Sequence, residues 1–169
     1  VFDSSGSMAE DLGGETKIDA AKQVLNDVID AIPERPGINV GFRVFGHKGN
    51  NTEAGRAESC QSSDLLVPMN GVDKPLLRQQ VATYQPTGWT PIALSLERAG
   101  DDFDPGGESI SNVVVLVTDG EETCGGDPCA AARSLHDGEV QVTTYVVGFG
   151  TSADQQASLQ CIADEGGGT

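Results

Sequence analysis

An open α/β fold built on a mostly parallel sheet is predicted by three observations on this 169-residue chain. Apolar runs alternate with amphipathic segments, and Gly, Pro or Asp stands at the joints between them. The strongest run, Val113-Val114-Val115-Leu116-Val117, is unbroken. Alternating strands and helices make a parallel sheet with crossovers, and a continuous apolar strand is one covered by helices on both faces. The length fits one domain with a sizeable core, so residues 1–169 are read as a single domain. Val1-Phe2, followed at once by Asp3, reads as a first strand cut short, and Gly166-Gly167-Gly168-Thr169 as a helix exit with nothing after it. The expectation is a domain truncated in its first strand and after its last helix.

Thr16 to Ile32 carries Ile18, Ala21, Leu25, Val28, Ile29 and Ile32 at three- and four-residue spacing, which gives a helix one apolar face. Thr16 with Asp19 forms a capping-box variant, and Pro33 and Pro36 end the helix. Ile38 to Phe45 reads as a strand closed by Gly46. Residues 47–63 are polar and Gly-rich, and Asp64 to Met69 is a shorter strand whose Pro68 suits a sheet edge. No helix is predicted between these two strands, so they are expected to pair antiparallel with the short one outermost. Asp73 to Tyr84 is a helix with Asp73 as N-cap and Pro75 in its first turn. Thr90-Pro91 repeats that cap-then-proline pattern and opens a helix running to about Ala99. Asn112 to Thr118 is the buried strand, and Asp127-Pro128 opens a helix that Gly138 terminates. Val140 to Gly148 reads as another buried strand, and Ser152 to Glu165 as a final helix stopped by Gly166.

Asp and Glu number 26 against 10 Lys plus Arg, a formal charge of −16. That balance argues against a nucleic-acid partner and against membrane contact by this domain itself, since both need a positive footprint. No apolar stretch approaches the ~18 residues of a membrane span. The four cysteines, Cys60, Cys124, Cys129 and Cys161, form an even set, and neither His47 nor His136 supplies zinc-ligand spacing. Disulfides are expected, and with them an oxidising, extracytoplasmic setting. Cys60 and Cys124 fall in loops at strand carboxyl ends, whereas Cys129 and Cys161 lie on consecutive helices of one face. The favoured pairing is therefore Cys60–Cys124 with Cys129–Cys161, over a local Cys124–Cys129 bridge that leaves Cys60 to Cys161.

Ligands of open α/β sheets bind beyond the carboxyl ends of the strands. Two such ends carry Asp: Phe2-Asp3-Ser4-Ser5-Gly6-Ser7 and Val117-Thr118-Asp119-Gly120-Glu121-Glu122. Side by side at the sheet centre, they would bring two carboxylates and two hydroxyls together. Thr90, in Thr87-Gly88-Trp89-Thr90-Pro91, is a third hydroxyl candidate. Hard oxygen donors without His or Cys suit Mg²⁺, Mn²⁺ or Ca²⁺ rather than zinc. The candidate metal residues are Asp3, Ser5, Ser7, Thr90 and Asp119. Ser4 is read as a spacer, and Glu121 and Glu122 as solvated. Asp101, Asp102 and Asp104, before Pro105-Gly106-Gly107, do not fit EF-hand spacing and are read as solvated surface. Trp89 is either a partner contact or a packing residue of its loop.

Asp3-x-Ser5-x-Ser7, the Thr-Gly-x-Thr-Pro segment holding Thr90, and Thr118-Asp119-Gly120 resemble the metal-ion-dependent adhesion site of von Willebrand factor type A domains. The order of elements matches as well, and the resemblance covers essentially the whole chain. The shortened first strand and the missing last strand or helix depart from the family pattern. The resemblance implies a Rossmann-like sheet with helices on both faces and one antiparallel edge strand. It implies Mg²⁺, with Mn²⁺ or Ca²⁺ as substitutes, touched directly by the Ser5 and Ser7 hydroxyls. Thr90 would coordinate directly or through water, and Asp3 and Asp119 would sit close behind, through water and hydrogen bonds. Such a neutral inner shell leaves the ion much of its charge, so an Asp or Glu carboxylate of a protein partner can complete the coordination.

The expected function is thus a non-enzymatic, adhesion-type protein-binding module, in style closer to bacterial exported members than to animal matrix ones. One alternative is a cytosolic subunit assisting an ATPase or chelatase machine, against which the cysteines speak. Another is a Mg²⁺-dependent phosphohydrolase with Asp3 as nucleophile. That reading lacks a second Asp two residues on, where Ser5 stands, and a Lys at the exit of a later strand.

Overall fold

Apolar side chains alternate between two helical layers across one five-stranded sheet, whose strand order is β3-β2-β1-β4-β5. The computed structural model describes residues 1–105 and 109–169. Its strands are β1 (Phe2–Asp3), β2 (Phe42–Phe45), β3 (Ser63–Val67), β4 (Asn112–Thr118) and β5 (Val142–Gly148). The helices are α1 (Lys17–Ala31), α2 (Glu53–Ser59), α3 (Lys74–Thr83), α4 (Ile92–Gly100), α5 (Pro128–Asp137) and α6 (Ala153–Glu165). Only β3 runs antiparallel to its neighbour; β1 lies parallel between β2 and β4, with Phe2 opposite both Val44 and Val117. This is the mostly parallel, doubly covered sheet with one antiparallel edge strand that the sequence predicts.

Each face has its own core. On one, Phe2, Val44 and Val117 pack with Ile18, Ala21 and Ile29 of α1 and Leu77 and Val81 of α3. On the other, Phe45, Val114 and Leu116 pack with Ile92 and Leu96 of α4, Leu135 of α5, and Leu159 and Ile162 of α6. The caps expected at Thr16 and Asp73 form, and two more start α5 and α6. Thr16, Asp73, Asp127 and Ser152 accept backbone amides at the starts of α1, α3, α5 and α6, and Ser152 with Gln155 completes a capping box. No helix of the described residues is long and apolar enough to cross a membrane.

Several elements differ from expectation. Residues 47–63, read as polar loop, contain α2, a helix of seven residues that packs no long apolar stripe. The strand expected over Ile38 to Phe45 forms ladder pairs only from Phe42, and the β2–β3 register shifts between Phe42 and Arg43. Pro68 lies just outside β3, consistent with its missing amide. Neither β4 nor β5 is buried on both faces: Val113 is 43% and Tyr145 42% exposed. The α1–α3 layer covers β1, β2 and β3 and reaches only Val117 of the buried β4 residues. Val28 sits at the margin of the α1 stripe and is exposed. Asp102 is not free surface: it accepts both a 2.8 Å and a 2.7 Å hydrogen bond from the buried Arg43 guanidinium. Gly106 and Gly107, at the end of that acidic loop, lie outside the described residues.

Candidate metal centre

The parallel pairing of β1 with β4 sets Asp3 and Asp119 at neighbouring strand exits, as the sequence requires for a shared site. Asp3 is fully buried, and each of its oxygens is taken. The Ser5 amide donates to Oδ1 at 2.7 Å, and the Thr118 hydroxyl donates to Oδ2 at 2.5 Å. Burial pushes the Asp3 carboxyl up to about 6, against those two hydrogen bonds and with a smaller push from Asp119. Asp3 therefore shapes the loop and faces no solvent.

From Ser5 the donors run outward. The Ser5 and Ser7 hydroxyls stand 3.2 Å apart, and Ser7 donates to Asp119 Oδ1 at 2.8 Å. The other oxygen of Asp119 accepts from Lys17 Nζ at 2.8 Å, and the same ammonium reaches the exposed Glu10 at 2.6 Å. Burial disfavours the Lys17 ammonium, but Asp119 and Glu10 outweigh it and hold its pKa above the usual lysine value. Ser7 is the exposed member; Ser5 and Asp119 are 1% exposed.

Thr90 enters from the loop before α4. Ser5 and Gly88 form a parallel bridge, and Gly6 donates to the Gly88 carbonyl at 2.8 Å. Thr90 itself is 4% exposed and is tied to Thr123: its amide donates to Thr123 Oγ1 at 2.8 Å, and the Thr123 amide donates back to its carbonyl at 3.1 Å. No hydrogen bond among the described residues joins its hydroxyl to the Ser5–Ser7–Asp119 chain. The proline-associated cap expected at Thr90 is absent. Pro91 precedes α4 without a side-chain cap, and Glu122 supplies one instead, accepting from Ala93 at 2.9 Å and from Cys124 at 2.7 Å. Glu122 is thus a loop clamp and not a solvated side chain. Ser4 is indeed no donor to the cluster; its hydroxyl bonds the Gln85 carbonyl at 2.6 Å.

Both disulfides have the favoured pairing, Cys60–Cys124 and Cys129–Cys161, with Cα atoms 5.4 Å and 5.7 Å apart. The first ties α2 to the β4-exit loop; the second joins α5 to α6.

Lys17 and Thr118 were not singled out by sequence reasoning. The signal for Lys17 was its place: a crossover helix starts at the carboxyl end of its strand, so the first residue of α1 opens onto the same crevice. Thr118 was visible only as part of the Thr118-Asp119-Gly120 motif. The donor chemistry fits a divalent cation. Two carboxylates and the Ser5 and Ser7 hydroxyls gather at the strand exits, Thr90 lies on the adjoining loop, and Asp119 already holds one cationic group. Among the described residues no three His, Cys, Asp or Glu side chains converge, so hydroxyls would have to supply part of any ligand set here.

Comparison with known proteins agrees with the geometry. The family profile described as von Willebrand factor type A domain matches residues 1–169. The Bacillus subtilis (strain 168) protein YwmD is 38% identical over 168 residues, covering 99% of this chain and 74% of its own. Among solved structures, the conserved hypothetical protein BatB from Bacteroides thetaiotaomicron has a TM-score of 0.73 at 20% identity, covering 99% of this chain and 84% of its own. Proximal thread matrix protein 1 from the mussel byssus, solved with a zinc-occupied MIDAS motif, has a TM-score of 0.67 at 20% identity, covering 98% of this chain and 38% of its own. These structural likenesses share the fold; the profile and the Bacillus relative carry the family. With the fold, the motif order and the whole-chain match in agreement, the chain belongs to the von Willebrand factor type A domain family.

Proposed function

We propose that this domain is a non-enzymatic, divalent-metal-dependent protein-binding module, held together at Asp3, Ser5, Ser7, Thr90 and Asp119. The observation that carries the reading is the hydrogen-bonded chain from Ser5 through Ser7 to Asp119, which joins residues 112 positions apart. Mg²⁺ is the ion proposed, with Mn²⁺ or Ca²⁺ as substitutes; when bound, it offers a positive centre to an Asp or Glu carboxylate of a partner. Asp3 and Asp119 supply the negative charge, the three hydroxyls supply neutral donors, and Ser7 is the side chain open to the approaching partner. Two disulfides support an extracytoplasmic setting. Hydrolysis through Asp3 is disfavoured, because both its oxygens accept hydrogen bonds and the residue is 0% exposed.

Thermal unfolding of the wild type and Asp119→Ala across Mg²⁺, Mn²⁺ and Ca²⁺ titrations tests this. The wild type is expected to gain about 2.7 kcal/mol at a hundredfold excess over Kd, and the variant nothing beyond its own lower baseline. An equal metal response in both proteins overturns the assignment of the site.

A further inference from the structure

Beside the oxygen cluster the local charge changes sign. Arg56 of α2 lays its guanidinium over the Trp89 ring, 4.7 Å from the centroid, and donates from Nη2 to the Thr123 carbonyl at 3.2 Å. Its nearest carboxylate, Glu53, is 3.7 Å away and 79% exposed, while the Arg56 side chain is itself 41% exposed. Water screens such a pair strongly, so most of the guanidinium charge is left for another anion.

The platform under Arg56 is fixed on every side. The Trp89 indole donates to the Thr52 carbonyl at 3.0 Å, and its amide donates to Ser59 Oγ at 2.6 Å. Cys60, the next residue along, is bonded to Cys124. Trp89 immediately precedes Thr90, and Thr123 both accepts the Thr90 amide and offers Arg56 its carbonyl. Arg56 is therefore anchored to the loop that carries Thr90 and to the loop that carries Asp119. The other basic groups at this end are already engaged: Lys17 with Asp119 and Glu10, and Lys48 with Asp64. A guanidinium held over an indole face and hydrogen-bonded to a fixed carbonyl has part of its N–H fork pre-oriented, an arrangement that suits a carboxylate.

We infer that the partner presents two acidic side chains a short spacing apart, one for the metal centre and a second that Arg56 receives on the Trp89 platform. The inference rests on the metal-dependent binding proposed above and gives that partner its chemistry: an acidic peptide segment or loop. It would also account for how a chain of charge −16 could hold an acidic ligand, because the second contact falls on the one basic side chain near the crevice, among the described residues, whose only counter-charge is a loose pair at 3.7 Å with a carboxylate 79% exposed.

Synthetic Gly/Ser peptides carrying one Asp, or an Asp and a Glu separated by one to four residues, are titrated calorimetrically into this chain with saturating Mg²⁺ and with chelator. At the best spacing the two-acid peptide is expected to bind about tenfold tighter than the one-acid peptide, in Mg²⁺ only. Arg56→Gln is expected to remove that gain, leaving the one-acid affinity and the Mg²⁺ affinity within about twofold. Arg56→Lys keeps the charge but loses the flat fork, and should retain only part of the gain. Each variant's unfolding temperature and its Mg²⁺ response verify that it is folded. Equal affinities for the two peptides in the wild type, or a gain that survives Arg56→Gln, overturn the inference and leave the metal reading standing. Absence of Mg²⁺-dependent binding by both peptides overturns the metal reading and this inference with it.

Discussion

Gly46, at the exit of β2, has φ +69, and a Cβ there would stand 2.8 Å from both the Ser5 amide nitrogen and the Trp89 carbonyl oxygen. Both neighbours are backbone, so neither can swing aside; with Gly88, whose Cβ would stand 2.7 Å from the Lys48 carbonyl oxygen, the absence of a side chain at Gly46 lets three loops meet. On the other side of β1, at the β4 exit, Lys17 delivers a charge to Asp119. Its ammonium and Asp119 are 6% and 1% exposed, so each depends on the other for compensation, and Glu10 closes the pair from the solvent side. Breaking such a buried pair by removing one partner costs about 3–5 kcal/mol, because the remaining charge stays buried. Lys17→Met is therefore expected to unfold at lower urea than the wild type without metal, by about that free energy. Adding Mg²⁺ should then stabilise the variant more than the wild type, since a second cation can stand in for the lost ammonium near Asp119. Urea titrations of both proteins, with and without Mg²⁺, measure the two increments. Equal increments would show that Lys17 and the metal do not share Asp119.

Helices and strands with strong local signals were legible in the sequence; those held by distant partners were not. Asp73 and Asp127 announce α3 and α5 because an N-cap followed by Pro is chemistry within four residues. Asp3, Ser5, Ser7 and Asp119 could be assigned to one crevice because parallel pairing of adjacent strands aligns their exits. By contrast, α2 is short and has no apolar stripe, and what positions it is a set of contacts no local pattern encodes: Cys60 to Cys124, Ser59 to Trp89, Arg56 to Thr123. Glu122 looked solvated for the same reason, since its partners Ala93 and Cys124 become neighbours only when α4 and the β4 exit meet. The two disulfides should consequently differ in effect. Each closes a sizeable loop, of 64 and 32 residues' separation, and each is expected to contribute about 2–4 kcal/mol to stability. Only the first also braces the loops around Thr90 and Asp119. Replacing Cys60 and Cys124 by Ser should weaken Mg²⁺ binding as well as stability, whereas replacing Cys129 and Cys161 should lower stability alone. Metal titration of both double variants, below their unfolding temperatures, separates the two; an unchanged Mg²⁺ affinity in the first would mean that the hydrogen bonds of Thr90 and Glu122 hold the crevice unaided.

At the scale of the whole molecule two fields of opposite sign would act on the acidic partner proposed above, and they have different reach. The net charge of −16 is spread over the surface and repels at long range, but salt screens it over about 10 Å at 0.1 M. At contact, the proposed divalent ion and the Arg56 guanidinium would face the ligand at hydrogen-bonding distance, too close for salt to screen strongly. Association should therefore be slowed by the first field, and dissociation governed by the second. The expectation is an unusual salt dependence for an ionic contact: at saturating Mg²⁺, raising NaCl from about 10 mM to about 150 mM should speed association of a two-acid peptide, because the repulsion is screened. Its dissociation rate should change much less, since the carboxylates are then held at close quarters. Stopped-flow measurement with a fluorescent two-acid peptide resolves the two rates. If association instead slows as salt is added, the field around the crevice is already positive at the distance of encounter. The metal and Arg56 would then steer the partner as well as hold it, and the surface carboxylates would bear on solubility and not on recognition.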